Sequence, residues 1–91
     1  MASNFQIYSF KTKESLHLKL VGDFDGSSAY ELINKISEHG KRFYEVFIDT
    51  TDLNSIYPFG KEIFQKRFGA LKKQFHNIIF LGNNRHEIYA D

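Results

Sequence analysis

Apolar and polar residues alternate most cleanly over residues 15–21, SLHLKLV, where Leu16, Leu18 and Leu20 interleave with His17 and Lys19. A period of two puts the leucines on one face of a strand and His17 and Lys19 on the other. Residues 5–10, FQIYSF, alternate as well, setting Phe5 and Ile7 against Tyr8 and Phe10. The short charged turn KTKE between these strands predicts a hairpin, although it lacks Asn-Gly or Asp-Gly. After a loop over 22–28 the period changes. Ala29, Leu32, Ile33 and Ile36 recur at helical spacing, with Ser28 and Glu31 placed as a capping box and Gly40 as a stop. The spacing predicts a helix over 28–39, with Glu31, Asn34, Lys35 and Glu38 outward.

Residues 43–60, FYEVFIDTTDLNSIYPFG, organise the second half. Phe43, Tyr44, Val46, Phe47 and Ile48 form a nearly continuous apolar run ending at Asp49, as in a strand covered on both faces. Asp49, Thr50, Thr51, Asp52, Asn54 and Ser55 follow as a polar loop. That loop lies at the carboxyl end of the strand, where open α/β sheets usually receive ligands and partners. Pro58, the only proline, suits the first turn of a helix over 58–73. Phe64, Phe68, Leu71 and Phe75 line its inner stripe, with Ile63 and Ala70 alongside and Gly69 outside. NIIFL, 77–81, predicts a buried fourth strand ended by Gly82, and the tail is too short for a further strand and helix.

The expected fold is therefore α/β, one domain over 1–91, with a four-stranded mixed sheet, element order ββαβαβ and two main helices. If strands two, three and four are neighbours in order, right-handed crossovers put both helices on one face. The other face carries His17, Lys19, Phe43, Glu45, Phe47 and an alternating pair from the fourth strand. Such an open apolar patch is a candidate homodimer interface unless the tail covers it.

Composition narrows the function classes. Ten Phe and five Tyr in 91 residues fit a folded domain, and the absence of cysteine excludes disulfides, thiolate metal sites and cysteine nucleophiles. A net charge of +1 gives no general attraction to nucleic acid. The amino-terminal sequence lacks a basic-then-apolar leader, and no run reaches the ~18 apolar residues of a membrane span. A cytoplasmic location is the expectation. Lys61, Lys66, Arg67, Lys72 and Lys73 make the second helix basic against Glu62 alone. Its aromatics belong to the core stripe, so a solvated face or an acidic protein partner fits better than nucleic acid. Arg67, at the edge of the apolar side, can snorkel or meet a partner's carboxylate.

Asp23, Asp25, Asp49 and Asp52 lie toward one end of the sheet, yet without calcium-loop spacing. His17, His39, His76 and His86 are scattered, with no i, i+4 pair for a metal. No nucleophile triad, phosphate-cradling glycine loop or dinucleotide fingerprint is present, so no metal or cofactor is expected and a non-enzymatic role is favoured. The hydroxyls of Thr50, Thr51 and Ser55 suit loop capping and are candidate phosphoacceptors.

The segments LHLKLVGDFDGSSAYELINKI, FYEVFIDTTDLNSIYPFGKEIF and HNIIFLG together resemble a STAS domain, the fold of bacterial anti-sigma factor antagonists. The anchors are Gly22, Ala29, Asp49, Gly60 and Gly82, and the resemblance covers roughly residues 5–82. It implies a regulatory protein-interaction module whose partner is an anti-sigma factor or kinase-like protein. The implied docking surface comprises Asp23, Asp25, Asp49, Asp52, Asn54, Ser55, Tyr57, Phe59, Gly60 and Lys61. In that family the second helix opens on Asp-Ser-Ser-Gly or Asp-Ser-Thr-Gly, with the hydroxyl before the glycine phosphorylated. Tyr57, Pro58, Phe59 and Gly60 stand there instead, so the acceptor position is Phe59, which has no hydroxyl. Typical members also continue with another helix beyond the position of Gly82. Since some STAS-like chains serve transporters, the alternative is a small-ligand or lipid-handling accessory subunit.

Overall fold

The computed structural model describes residues 4–89. Two strands, β1 (Gln6–Lys11) and β2 (Ser15–Phe24), form the expected antiparallel hairpin. Helix α1 (Gly26–His39) leads through a 3₁₀ turn to β3 (Glu45–Ile56), and α2 (Pro58–Leu71) leads through another to β4 (Asn77–Leu81). A single helical turn, α3 (Arg85–Ile88), follows. The sheet order is β1-β2-β3-β4, with β2, β3 and β4 parallel. The mixed four-stranded α/β fold with two main helices is the one expected from the alternation.

The core lies between the sheet and the helices. Leu16, Leu18 and Leu20 from β2 and Val46 and Ile48 from β3 are buried. They meet Ala29, Leu32, Ile33 and Ile36 of α1 and Phe64 and Phe68 of α2. Burying such a side chain fully contributes about 1.5–3 kcal/mol. Phe64 and Phe68 stack with ring centroids 5.1 Å apart, and Phe80 meets both edge-on.

Several elements differ from expectation. The polar stretch after Asp49 is the second half of β3. Thr50 and Leu53 continue the buried side of the strand, while a register shift lies between the Lys19–Asp49 and Val21–Asp52 pairs. That bulge breaks the period of two, which disguises a strand as a loop. β2 likewise runs on to Phe24, paired with Ile56. The cap of α1 is Asp25 rather than Ser28: the Asp25 carboxylate accepts the Ser28 backbone N–H at 3.0 Å, and Ser28 is buried. β4 is an edge strand and therefore only half-buried at its centre. α2 gives way to a 3₁₀ turn at Lys72. Phe43 precedes β3 and leans on the core instead of the open face.

The tail also folds. Ile88 of α3 is fully buried, and the Tyr89 ring lies 5.0 Å from Phe68 and 5.7 Å from Phe80. The Asn84 side-chain amide donates to the Thr50 carbonyl at 3.0 Å. These contacts close the helix-covered side of the sheet, so residues up to Tyr89 leave the opposite face open.

Candidate functional site

The paired ends of β2 and β3 bring two helix starts together. The Tyr57 N–H donates to the Phe24 carbonyl at 2.9 Å, extending the pairing to the point where both chains turn into helices. Gly60, in the first turn of α2, then lies against the backbone at the start of α1. A Cβ at Gly60 would sit 2.6 Å from the carbonyl carbon and oxygen of Asp25, so a side chain there would drive the helices apart. Phe59, one residue earlier, packs one ring edge beside Gly26 and remains 66% exposed. Tyr57 is 49% exposed. A fixed corner of the molecule thus presents two large aromatic residues to solvent, with Lys61 half-buried beside them.

The two helix starts differ electrically. Asp25 accepts from the Ser27 hydroxyl at 2.8 Å in addition to the Ser28 N–H. The Ser28 hydroxyl lies 3.0 Å from both that carboxylate and the Asp23 carbonyl, and its one proton serves either. The Ser28 backbone N–H, with the two hydroxyls, holds the Asp25 carboxyl below its ordinary value. No side chain caps α2, whose first helical residue is Pro58.

The predicted docking residues separate into two surfaces. Asp25, Ser55, Tyr57, Phe59, Gly60 and Lys61 belong to the corner where the helices begin. Asn54 is exposed just before it on β3. Asp23 faces the amino-terminal segment, where the Asn4 amide donates to its carboxylate at 3.3 Å. Asp49 and Asp52 instead flank Lys19 on the open sheet face. The Lys19 ammonium lies 2.9 Å from the Asp52 carboxylate, which raises the lysine pKa. Asp49 accepts the Thr51 hydroxyl at 2.6 Å and the Thr51 N–H at 2.9 Å, and these bonds lower its pKa. Among the described residues no group of three or more metal-ligating side chains comes together.

Thr50 is fully buried and donates to the Leu81 carbonyl at 2.7 Å, which closes its hydroxyl to a kinase. Thr51 and Ser55 are exposed. On α2, the Arg67 guanidinium lies 5.1 Å above the Tyr30 ring of α1, and Lys72 reaches the Tyr89 hydroxyl at 2.9 Å. Both cations thus pack on aromatics of their own chain, so Arg67 snorkels along the helix pair as its place at the edge of the apolar stripe allows. Among the described residues no helix is long and apolar enough to cross a membrane.

The open sheet face holds a feature that the docking residues only touch. Tyr8, Phe10, His17, Lys19, Phe47 and Leu81 line a shallow groove of about 340 Å³. His17 stacks on Phe47 at 4.7 Å and meets Phe10 edge-on at 6.0 Å. Alternation in the first two strands carried the signal for Tyr8 and Phe10; Leu81 joins them only through the register of β4.

No protein-family model matches the sequence, and no curated protein does. Solved structures do match. One, described as Mglu, superposes with a TM-score of 0.74 at 12% identity over 86% of this chain, which spans only 20% of that longer chain. The anti-sigma factor antagonist SpoIIAA in its unphosphorylated form gives 0.63 at 17% identity, covering 93% of this chain and 80% of that one. An uncharacterised DUF3478-family protein from Shewanella loihica, described as having a SpoIIAA-like fold, gives 0.59 at 18% identity, covering 96% and 75%. With the strand order, the paired helix starts and these superpositions together, the chain has a STAS-like fold, the fold of the anti-sigma factor antagonist SpoIIAA.

Proposed function

We propose that this chain is a non-enzymatic, cytoplasmic protein-interaction module that docks a regulatory protein through the corner where α1 and α2 begin. The observation that carries this reading is the exposure of Tyr57 and Phe59 on backbone fixed by the Gly60–Asp25 contact. Aromatic side chains anchored on rigid backbone are the usual centres of protein interfaces, because they bury much area and lose little conformational freedom. The uncapped α2 terminus and Lys61 favour a partner that brings an apolar pocket for Phe59 and carboxylates around it. Likeness to an anti-sigma factor antagonist agrees with an anti-sigma-factor or kinase-like partner.

Phe59 stands where that family carries its phosphorylated hydroxyl, so docking here does not depend on modification at this position. Ser55 is an exposed hydroxyl two residues before Tyr57, and a phosphate there would add up to two negative charges at the corner. The test is affinity capture from native lysate with the unmodified chain, Phe59→Ala, Lys61→Glu and Asp52→Lys in parallel. Phe59→Ala and Lys61→Glu should lose the captured partner. Asp52→Lys, on the other surface, should keep it. Retention by both corner variants, with folding verified by circular dichroism, would sink the reading.

A further inference from the structure

The open sheet face is self-complementary, and we infer that it joins two copies of this chain face to face about a two-fold axis parallel to the strands, between β2 and β3. The register shows why. One row across the sheet reads Phe10, His17, Phe47, Ile79, and the next reads Tyr8, Lys19, Asp49, Leu81. A two-fold axis along the strands at the sheet's midline exchanges β2 with β3 and β1 with β4. Each aromatic or aliphatic member of a row then opposes another: Phe10 meets Ile79 of the partner subunit, the His17 ring meets Phe47 of the partner subunit, and Tyr8 meets Leu81 of the partner subunit.

The charges match under the same operation. Lys19 comes opposite Asp49 of the partner subunit, and Asp49 opposite Lys19 of the partner subunit. Lys19 is then held between its own Asp52, at 2.9 Å, and a carboxylate from across the interface. The other in-plane choice, an axis running across the strands, keeps each strand opposite its own copy. With each strand facing its own copy, that choice cannot set Lys19 of β2 against Asp49 of β3, and with the axis level with Phe47 it sets Asp49 against Glu45 of the partner subunit, two like charges, so it is disfavoured. Face-to-face sheets with mean strand directions within about 30° and a spacing of about 10 Å accommodate the first arrangement. Isologous pairing of this kind is closed, so assembly stops at two. The surface to be covered is substantial, since Tyr8 is 55% and Phe10 66% exposed. The corner bearing Phe59 takes no part, which leaves it free in the dimer.

The chain has no cysteine, so single-cysteine variants report geometry cleanly. In one subunit Tyr8 and Leu81 lie on opposite edge strands, about 14 Å apart over three strand spacings. Across the inferred interface they face each other. Sedimentation and native mass spectrometry of the full chain should show a concentration-dependent dimer. Phe47→Glu should raise its dissociation constant about thirtyfold or more. Phe10→Glu, at the most exposed position of the row, should do likewise without disturbing the fold. Mixing Tyr8→Cys protein with Leu81→Cys protein and a thiol reagent about 10 Å long should link position 8 to position 81 between chains. A chain that stays monomeric at the highest soluble concentration would overturn the inference. So would a dimer indifferent to both glutamate substitutions, or one linked 8 to 8. A monomer that retains a small molecule in the groove would also overturn it and favour the ligand-handling reading. Because these readouts do not involve partner capture, they stand or fall apart from the corner.

Discussion

Asp25 shows how much one side chain settles. It follows directly on the β2–β3 pairing, its carboxylate caps α1, and its backbone is what Gly60 packs against. Replacing it with Ala should cost about 1 kcal/mol through the lost cap alone, read from urea unfolding. Asp25→Asn keeps a capping oxygen but removes the titration, which separates the two roles. The folded pKa of Asp25 is lowered, as is that of Asp49. Their contribution is therefore fully present above the ordinary aspartate value of about 3.9 and is lost as pH falls through the lowered folded values. The acid limb of stability against pH should be shallower in Asp25→Asn than in the unmodified protein. An unchanged limb would show that Asp25 is not its source. Gly82 is equally constrained. With φ at +102° and a would-be Cβ 2.7 Å from the Thr51 nitrogen, Gly82→Ala should destabilise by roughly 1–3 kcal/mol.

Among elements, the four-residue α3 contributes far more than its length suggests. Ile88 is wholly buried, and Tyr89 stacks on Phe80 and meets Phe64 and Phe68 edge-on. Ile88→Ala should cost about 2–5 kcal/mol by the thermal midpoint and urea titration, a value typical of a core position. A cost under about 0.5 kcal/mol, as at a surface site, would show that α3 does not seal the core. Gly69 in α2 meets no neighbour, so Gly69→Ala should stabilise by about 0.8–1 kcal/mol. The alternations around Leu18, the stripe from Ala29 to Ile36 and Pro58 made the hairpin, both helices and their common face legible from residues alone. The second half of β3 was hidden, because the residue that continues its buried side, Thr50, is polar and a bulge puts Leu53 out of phase with it. α3 was hidden for a different reason. One turn has no period to read, and it forms because Ile88 has a hole to fill. Of the candidate site, the aromatics at the helix-2 start were visible, as was the mixed face around His17 and Phe47. The division of the aspartates between two surfaces was not, since it depends on the register of β2 with β3.

For the whole molecule, the strand order predicts a gradient of protection. β2 over residues 16–21 and β3 over residues 45–49 are flanked on both sides and carry the buried Leu16, Leu18, Leu20, Val46 and Ile48, whereas β1 and β4 are edges. Amides of β2 and β3 should exchange only through global opening, and those of β4 sooner, by hydrogen exchange. Equal rates in β4 and β3 would contradict that ordering. The uncovered sheet face has a calorimetric consequence as well. Apolar burial sets the heat-capacity change of unfolding, and a typical chain of 91 residues shows about 1.1–1.4 kcal/mol/K. A sheet covered on one side only should fall below that range when dilute, which flattens the stability curve and widens the temperatures over which the fold persists. Concentrating the protein until the aromatic rows meet should restore the missing heat capacity and raise the melting temperature together.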